Sequence, residues 1–259
     1  MKTRIYPLEG VRNFRDFGGY ASRYGGAVKP GLLFRSGHYA EASEADIEAV
    51  EALGIALQAD LRRPDEREKQ PGRWSAPATI THDGGREVDA PHTRFLQEVE
   101  VNAEAADGWM NTYYQLAPYK AHHTEMFADW FRQLAALDGD QAGLVNCAAG
   151  KDRTGILCAL THHVLGVSEA DIREDYELTN KAVNVSLFLP EAAKYFNDML
   201  GKRHDAEVYR PFLGVRLRYL ETALATMTAE SGSLDAYLAD TLGVDDAMQQ
   251  AIRDRLIAR

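Results

Sequence analysis

The sequence predicts an α/β fold: a central, mainly parallel sheet flanked by helices on both faces, with a helical C-terminal third. Three observations carry this reading. Short apolar strands alternate with amphipathic helices through the first two thirds of the chain. A small, charged, glycine-bearing turn at 147–153 joins an apolar strand to an apolar helix. From about residue 184 onward the pattern is helical throughout. No repeat, low-complexity tract or linker interrupts the 259 residues, so a single domain spanning 1–259 is expected.

The elements follow in order. Residues 1–30 read as irregular or hairpin-forming, because Gly-Gly pairs at 18–19 and 25–26 precede Pro30. GLLFRS (31–36) reads as a short strand. SEADIEAVEALG (43–54) is a helix: Ser43 and Asp46 stand in capping-box spacing, Ile47, Val50 and Leu53 form the apolar stripe, and Gly54 ends it. IALQADL (55–61) is a buried strand, RRPDERE (62–68) leaves the sheet through a proline turn, and ATITH (78–82) is a further strand. Residues 83–118 mix glycine, proline and polar residues and read as a loop region with some helix. HTEMFADWFRQLAAL (123–137) is helical, with Met126, Phe127, Trp130, Phe131 and Leu134 on one face. LVNC (144–147) is a strand and TGILCALTHHVLG (154–166) an apolar helix stopped by Gly166. A second capped helix follows at 168–180, and helices are expected at 184–200, 208–229, 232–242 and 244–258.

Composition narrows the function. With 45% apolar and 26% charged residues, the chain resembles an ordinary globular protein. It has no run of roughly 18 apolar residues, so no integral membrane association is expected. The N-terminus lacks a signal-peptide apolar core, and two cysteines, Cys147 and Cys158, make no disulfide framework. A cytoplasmic location is expected, with secretion by a route that needs no leader also compatible. The net charge of −10 argues against nucleic acid as a partner. Residues 1–35 carry seven Lys/Arg against two acids, a net +5 that leaves −15 to the rest, so this segment suits an anion site.

VNCAAGKDRTGI (145–156) concentrates the chemistry. The order strand, tight turn, helix puts the turn at a strand's carboxyl end, where open α/β sheets bind ligands. The helix N-terminus presents unpaired N–H groups and a partial positive charge, which suit an anion and favour a thiolate. Ala148, Ala149 and Gly150 let backbone approach a bound oxyanion, and the Arg153 fork can hold two phosphate oxygens. A Cys-x5-Arg spacing therefore equips the chain for phosphoryl transfer through a cysteinyl-phosphate. Gly150-Lys151 does not complete a nucleotide-binding loop, which needs a glycine where Val145 stands and Ser/Thr where Asp152 stands.

CAAGKDRTG resembles the Cys-x5-Arg signature of the protein tyrosine phosphatase superfamily. Within it, the loop is similar to that of the atypical bacterial and fungal tyrosine phosphatases, a group that includes secreted mycobacterial enzymes of dual protein and phosphoinositide specificity. RNFRDFGGY (12–20), GLLFRSG (31–37), ADLRRPDERE (59–68), DIREDYELTN (171–180) and SLDAYLADTLGVDD (233–246) look like further blocks of that family, so the resemblance covers nearly the whole chain. It implies phosphomonoester hydrolysis with Cys147 as nucleophile. Arg153 and the N–H groups of Ala148, Ala149, Gly150, Lys151, Asp152 and Arg153 would hold the phosphoryl group, and the Thr154 hydroxyl would steady the sulfur. It also implies no metal and no cofactor. The spacing of His82, Asp83, Asp89 and His92 matches no metal template either.

A leaving oxygen needs a proton from a positioned acid. The chain has no Trp-Pro-Asp loop; Asp152 is the expected acid, as the resemblance implies, and Asp60 the second candidate. Lys151 and Arg15 are candidate substrate contacts, and Lys151 points to a highly anionic phosphorylated protein or phosphoinositide. Cys158 reads as core packing. One departure stands out: Asn146 occupies the position before the cysteine where the superfamily commonly has His. An uncharged neighbour predicts lower activity, or activity shifted to higher pH, and keeps a low-turnover phosphate-recognition protein as the alternative. Oligomeric state is not predicted.

Overall fold

The structure is a computed structural model, and it describes residues 4–86, 91–98 and 101–258. Its centre is a five-stranded sheet built from β1 (Arg15–Asp16), β3 (Leu33–Ser36), β4 (Ile55–Asp60), β5 (Ala78–Ile80) and β6 (Ala142–Asn146), after a short β2 (Ala27–Val28). The strand order is β1-β3-β6-β4-β5; only the edge strand β1 runs antiparallel to its neighbour. The expected mainly parallel sheet is therefore present.

Alternation along the strands divides the core between two faces. Leu33, Leu57, Ala59 and Val145 join one cluster with Phe127, Trp130, Ile156 and Leu160. Those partners belong to α5 (Ala121–Ala136) and α6 (Asp152–Val164). Phe34, Ile55 and Leu144 meet Val11, Phe14, Tyr39 and Val50 on the other side, where α1 (Glu44–Glu51) packs. Ser43 and Asp46 close the expected capping box on α1. Pro64 stands in the first turn of α2 (Pro64–Lys69), a position that needs no N–H donor.

Three segments differ from expectation. Within 83–118 residues 83–86 are irregular as expected, but helix is more extensive than expected, with α3 (Pro91–Glu98) and α4 (Ala103–Leu116); Asp89 lies outside the described residues. α7 (Glu169–Val183) and α8 (Val185–Leu200) match closely. The expected helix at 208–229 is divided into α9 (Arg210–Leu213) and α10 (Leu217–Ser231). The break falls at Gly214, whose backbone is extended and packed against Asn180 and Val185. Beyond α10, a one-turn α11 (Leu234–Ala236) and a π-type turn precede α12 (Asp246–Leu256). The last described residues then form β7 (Ile257–Ala258), antiparallel to β2, so the end of the chain is not wholly helical.

The sheet register sets up the site. Asn146 pairs with Ser36 on one side and Asp60 on the other, so the carboxyl ends of β3, β6 and β4 finish level. The 147–151 turn leaves from the middle of the three.

Candidate active site

Cys147 stands at the end of β6 and lines a pocket with Ala148, Ala149, Lys151, Asp152 and Arg153. The opposite walls are Arg63, which caps α2, and Glu66, His92, Trp109, Met110, Tyr113 and Phe212, contributed by α2, α3, α4 and α9. The loop is held from behind by its carbonyls. Ala148 O accepts from His38 N at 3.3 Å. Gly150 O accepts from Asn13 Nδ2 at 2.7 Å and from Arg35 Nη2 at 3.1 Å. The N–H groups of 148–153 make no bond to a protein acceptor among the described residues, as an oxyanion cradle at a helix N-terminus requires. Gly150 has φ +67°, and a Cβ there would lie 2.3 Å from the Ser36 carbonyl carbon, so this close approach requires glycine.

Arg153 is nine-tenths buried. Its Nη1 donates to Leu61 O at 2.8 Å and to Glu66 Oε2 at 2.6 Å, and its Nη2 donates to Glu66 Oε1 at 2.8 Å. The Nε–H and second Nη2–H, which have no partner among the described residues, form one edge of the guanidinium, the right shape for two phosphate oxygens. Burial opposes charge on both partners, but pairing wins. Arg153 is held well above its ordinary value by Glu66 and the Cys147 sulfur. Burial would raise the Glu66 carboxyl, yet Arg153, with Arg63 behind it, brings it down to about 2. Sequence reasoning missed Glu66. The signal was its position in the RRPDERE block, where it also accepts from Arg63 N at 2.7 Å and so starts α2.

Asp152, the first residue of α6, keeps its carboxylate at the pocket wall, where it accepts from Tyr114 Oη at 2.7 Å and from Lys151 Nζ at 3.1 Å. Lys151 reaches the pocket too, but its ammonium also donates to Gly214 O at 3.2 Å and Pro211 O at 3.5 Å. It is thus a tether between the loop and the end of α9 as well as a local cation. Thr154 is fully buried and its Oγ1 has no hydrogen-bond partner among the described residues, so the hydroxyl hydrogen is uncommitted.

Two expected site residues lie elsewhere. Arg15 is completely buried and cannot meet substrate. Its Nε pairs with Asp175 Oδ1 at 3.3 Å, its Nη2 donates to Asp175 O and Thr179, and its Nη1 donates to Asn13 Oδ1. Arg35 joins the same carboxylate at 2.6 Å. Asp175 is driven far below the usual carboxylate range because these two guanidiniums outweigh its burial. Arg15 therefore braces Asn13, which braces the loop. Asp60 is also absent from the pocket wall: it is buried, with Arg62 Nη2 at 2.7 Å and Asn146 Nδ2 at 3.1 Å. Its short, satisfied carboxylate ties the strand ends together and leaves Asp152 as the only expected acid in the wall.

Asn146 has a structural reason. Its Oδ1 accepts from Gln58 Nε2 at 2.9 Å while its Nδ2 donates to Asp60, so one side chain bridges β6 and β4 with both an acceptor and a donor. Cys158 is fully buried in the main core, where burial pushes its thiol up to about 12.

Comparison with known proteins places the chain in a family. A model of the tyrosine phosphatase family matches residues 6–258. A Cupriavidus necator protein with a provisional tyrosine-protein phosphatase name is 32% identical over 243 residues, covering 92% of this chain and 84% of the relative. The triple specificity protein phosphatase PtpB of Mycobacterium tuberculosis is 29% identical over 284 aligned positions, covering 98% and 99%. A tyrosine-protein phosphatase of Nostoc commune is 28% identical over 153 residues, 59% of this chain and 50% of its own length. A family match along almost the full length, on a chain whose central strand ends in the cysteine-bearing loop, settles the family: this chain belongs to the tyrosine phosphatase family.

Proposed function

We propose that the protein hydrolyses phosphotyrosine through a phospho-Cys147 intermediate. The observation that carries this is the wall facing Cys147. Trp109 stacks near Tyr113 with ring centroids 6.1 Å apart, and Phe212 lies 5.7 Å from Trp109. An aryl leaving group finds apolar, aromatic surface on one side and the oxyanion cradle on the other. In this reading the loop N–H groups and the free edge of Arg153 bind the phosphoryl oxygens. Cys147 attacks phosphorus, and Asp152 supplies the proton to the departing oxygen. Asp152 then accepts a proton from the water that hydrolyses the intermediate.

Turnover of phosphoserine, phosphothreonine or phosphoinositides is the second reading. The cations Lys151 and Arg63 in the wall favour it, and the mycobacterial relative carries triple specificity in its name. Phosphate release from phosphotyrosine peptide, phosphoserine peptide and phosphoinositide, each with Cys147→Ser as control, tests both. Release from phosphotyrosine alone supports the first reading, and comparable release from lipid supports the second. Turnover that survives Cys147→Ser contradicts the mechanism.

A further inference from the structure

Behind Asp152 lies a pair of tyrosines that the chemistry above does not use. Tyr114 on α4 and Tyr176 on α7 are both completely buried, and neither lines the pocket. Tyr176 Oη donates to Tyr114 Oη at 2.7 Å, and Tyr114 Oη donates to Asp152 Oδ1 at 2.7 Å. A phenol has one hydrogen. Since Tyr176 donates into Tyr114, the Tyr114 hydrogen is directed at Asp152. Burial holds both phenols well above their usual value, so they stay protonated and remain donors. Packing fixes the rings as well: Tyr114 stacks on Tyr219 at 5.5 Å and meets Tyr176 edge-on at 6.4 Å.

We propose that Tyr114, backed by Tyr176, is a positioning residue for proton transfer: its bond to Oδ1, made beside the Lys151 ammonium that stands 3.1 Å from both Asp152 oxygens, fixes the carboxyl plane, and the proton is carried on Oδ2, the oxygen that accepts no tyrosine hydrogen. This rests on Asp152 being the acid. In the first step a Cys147 Sγ electron pair forms the S–P bond. The bond from phosphorus to the leaving oxygen breaks, its pair stays on that oxygen, and the Oδ2 proton moves there. Asp152 is left as a carboxylate whose Oδ1 still accepts from Tyr114. In the second step water attacks phosphorus, its proton goes to Oδ2, and the S–P pair returns to sulfur. A carboxyl free to rotate would present the proton in the wrong direction for part of the time, and that loss is largest when the leaving oxygen is most basic.

The test is the leaving-group dependence of kcat/KM, which reports the first step. A series of aryl phosphates from nitrophenyl to phenyl phosphate is measured with wild type, Asp152→Asn, Tyr114→Phe, Tyr176→Phe and the Tyr114→Phe/Asp152→Asn double variant. The expected result for Tyr114→Phe is a loss of roughly tenfold on phenyl phosphate and about twofold on nitrophenyl phosphate. Tyr176→Phe shows the same trend more weakly, and the double variant has the slope of Asp152→Asn alone. Equal losses across the series for Tyr114→Phe, or none, overturn the proposal. If Tyr114→Phe fails to fold, as a thermal melt would show, Tyr176→Phe carries the test under the same criterion. A flat response of Asp152→Asn itself instead removes the acid assignment, and the tyrosine role with it, so the two failures are distinguishable.

Discussion

Among the described residues, Arg153 commits three of its five N–H groups to the protein, and the partner that matters most is Glu66. The pair aims the free edge of the fork at the pocket, so Glu66→Gln should cost roughly ten- to a hundredfold in kcat/KM by letting the guanidinium turn. It should also change acid stability. The folded Glu66 carboxyl sits near 2 against an ordinary value of 4.5. A depressed carboxyl contributes stability that is complete above the unfolded value and is lost as pH falls toward the folded one. Urea unfolding at stepped pH should therefore show a steeper loss for wild type than for Glu66→Gln between those two values. Parallel curves would contradict the pairing. Nothing local in the sequence marks this contact, because Glu66 and Arg153 are 87 positions apart. That Cys147, Asp152 and Arg153 line one pocket was legible because the loop that carries them is contiguous.

At the scale of elements, the loop depends on what β3 and the N-terminal segment put behind it. Gly150 lies against Ser36 and Gly37, and its carbonyl is gripped by Asn13 and Arg35. Gly150→Ala adds a left-handed strain of about 1–2 kcal/mol and a Cβ that overlaps β3 backbone, so the loop must move. The expected outcome is loss of turnover by at least a hundredfold, with most of the thermal stability retained because the overlap is confined to one turn. Steady-state rates and a circular-dichroism melt check both halves. Capped helices and apolar strands were legible here because each is a local pattern: Ser43 with Asp46, or the Leu33–Phe34 alternation across two faces. The division of 208–229 was also written in the chain, as Pro211 and Gly214, but the periodicity of the flanking apolar residues masks it. Asn146 reads as a deficit beside the cysteine and turns out to bridge two strands through Gln58 and Asp60, a role visible only once β4 and β6 are adjacent.

Across the whole molecule, one buried carboxylate joins three distant parts of the chain. Asp175 on α7 pairs with Arg15 on β1 and Arg35 on β3, and all three are almost fully buried. Burial and the neighbouring Arg35 pull Arg15 down to about 10, which shows how closely the two cations depend on their shared partner. Removing it leaves uncompensated buried charge, so Asp175→Asn should cost about 3–5 kcal/mol in urea unfolding; a change below about 1 kcal/mol would contradict the assignment. The basic N-terminal segment was legible as an anion-favouring region, but its role was misplaced: Arg15 acts on the far side of the loop, through Asn13, and not on substrate. The same network ties the N-terminal block and α7 to the loop, through Asn13 and Arg35 on the Gly150 carbonyl. The pocket itself is centred on one sulfur. Rapid-quench trapping during turnover of a phosphotyrosine peptide, read by mass spectrometry, tests the account most directly: it predicts covalent phosphate on Cys147 and none, with no turnover, in Cys147→Ser. Phosphate on another residue, or undiminished hydrolysis by Cys147→Ser, would contradict it.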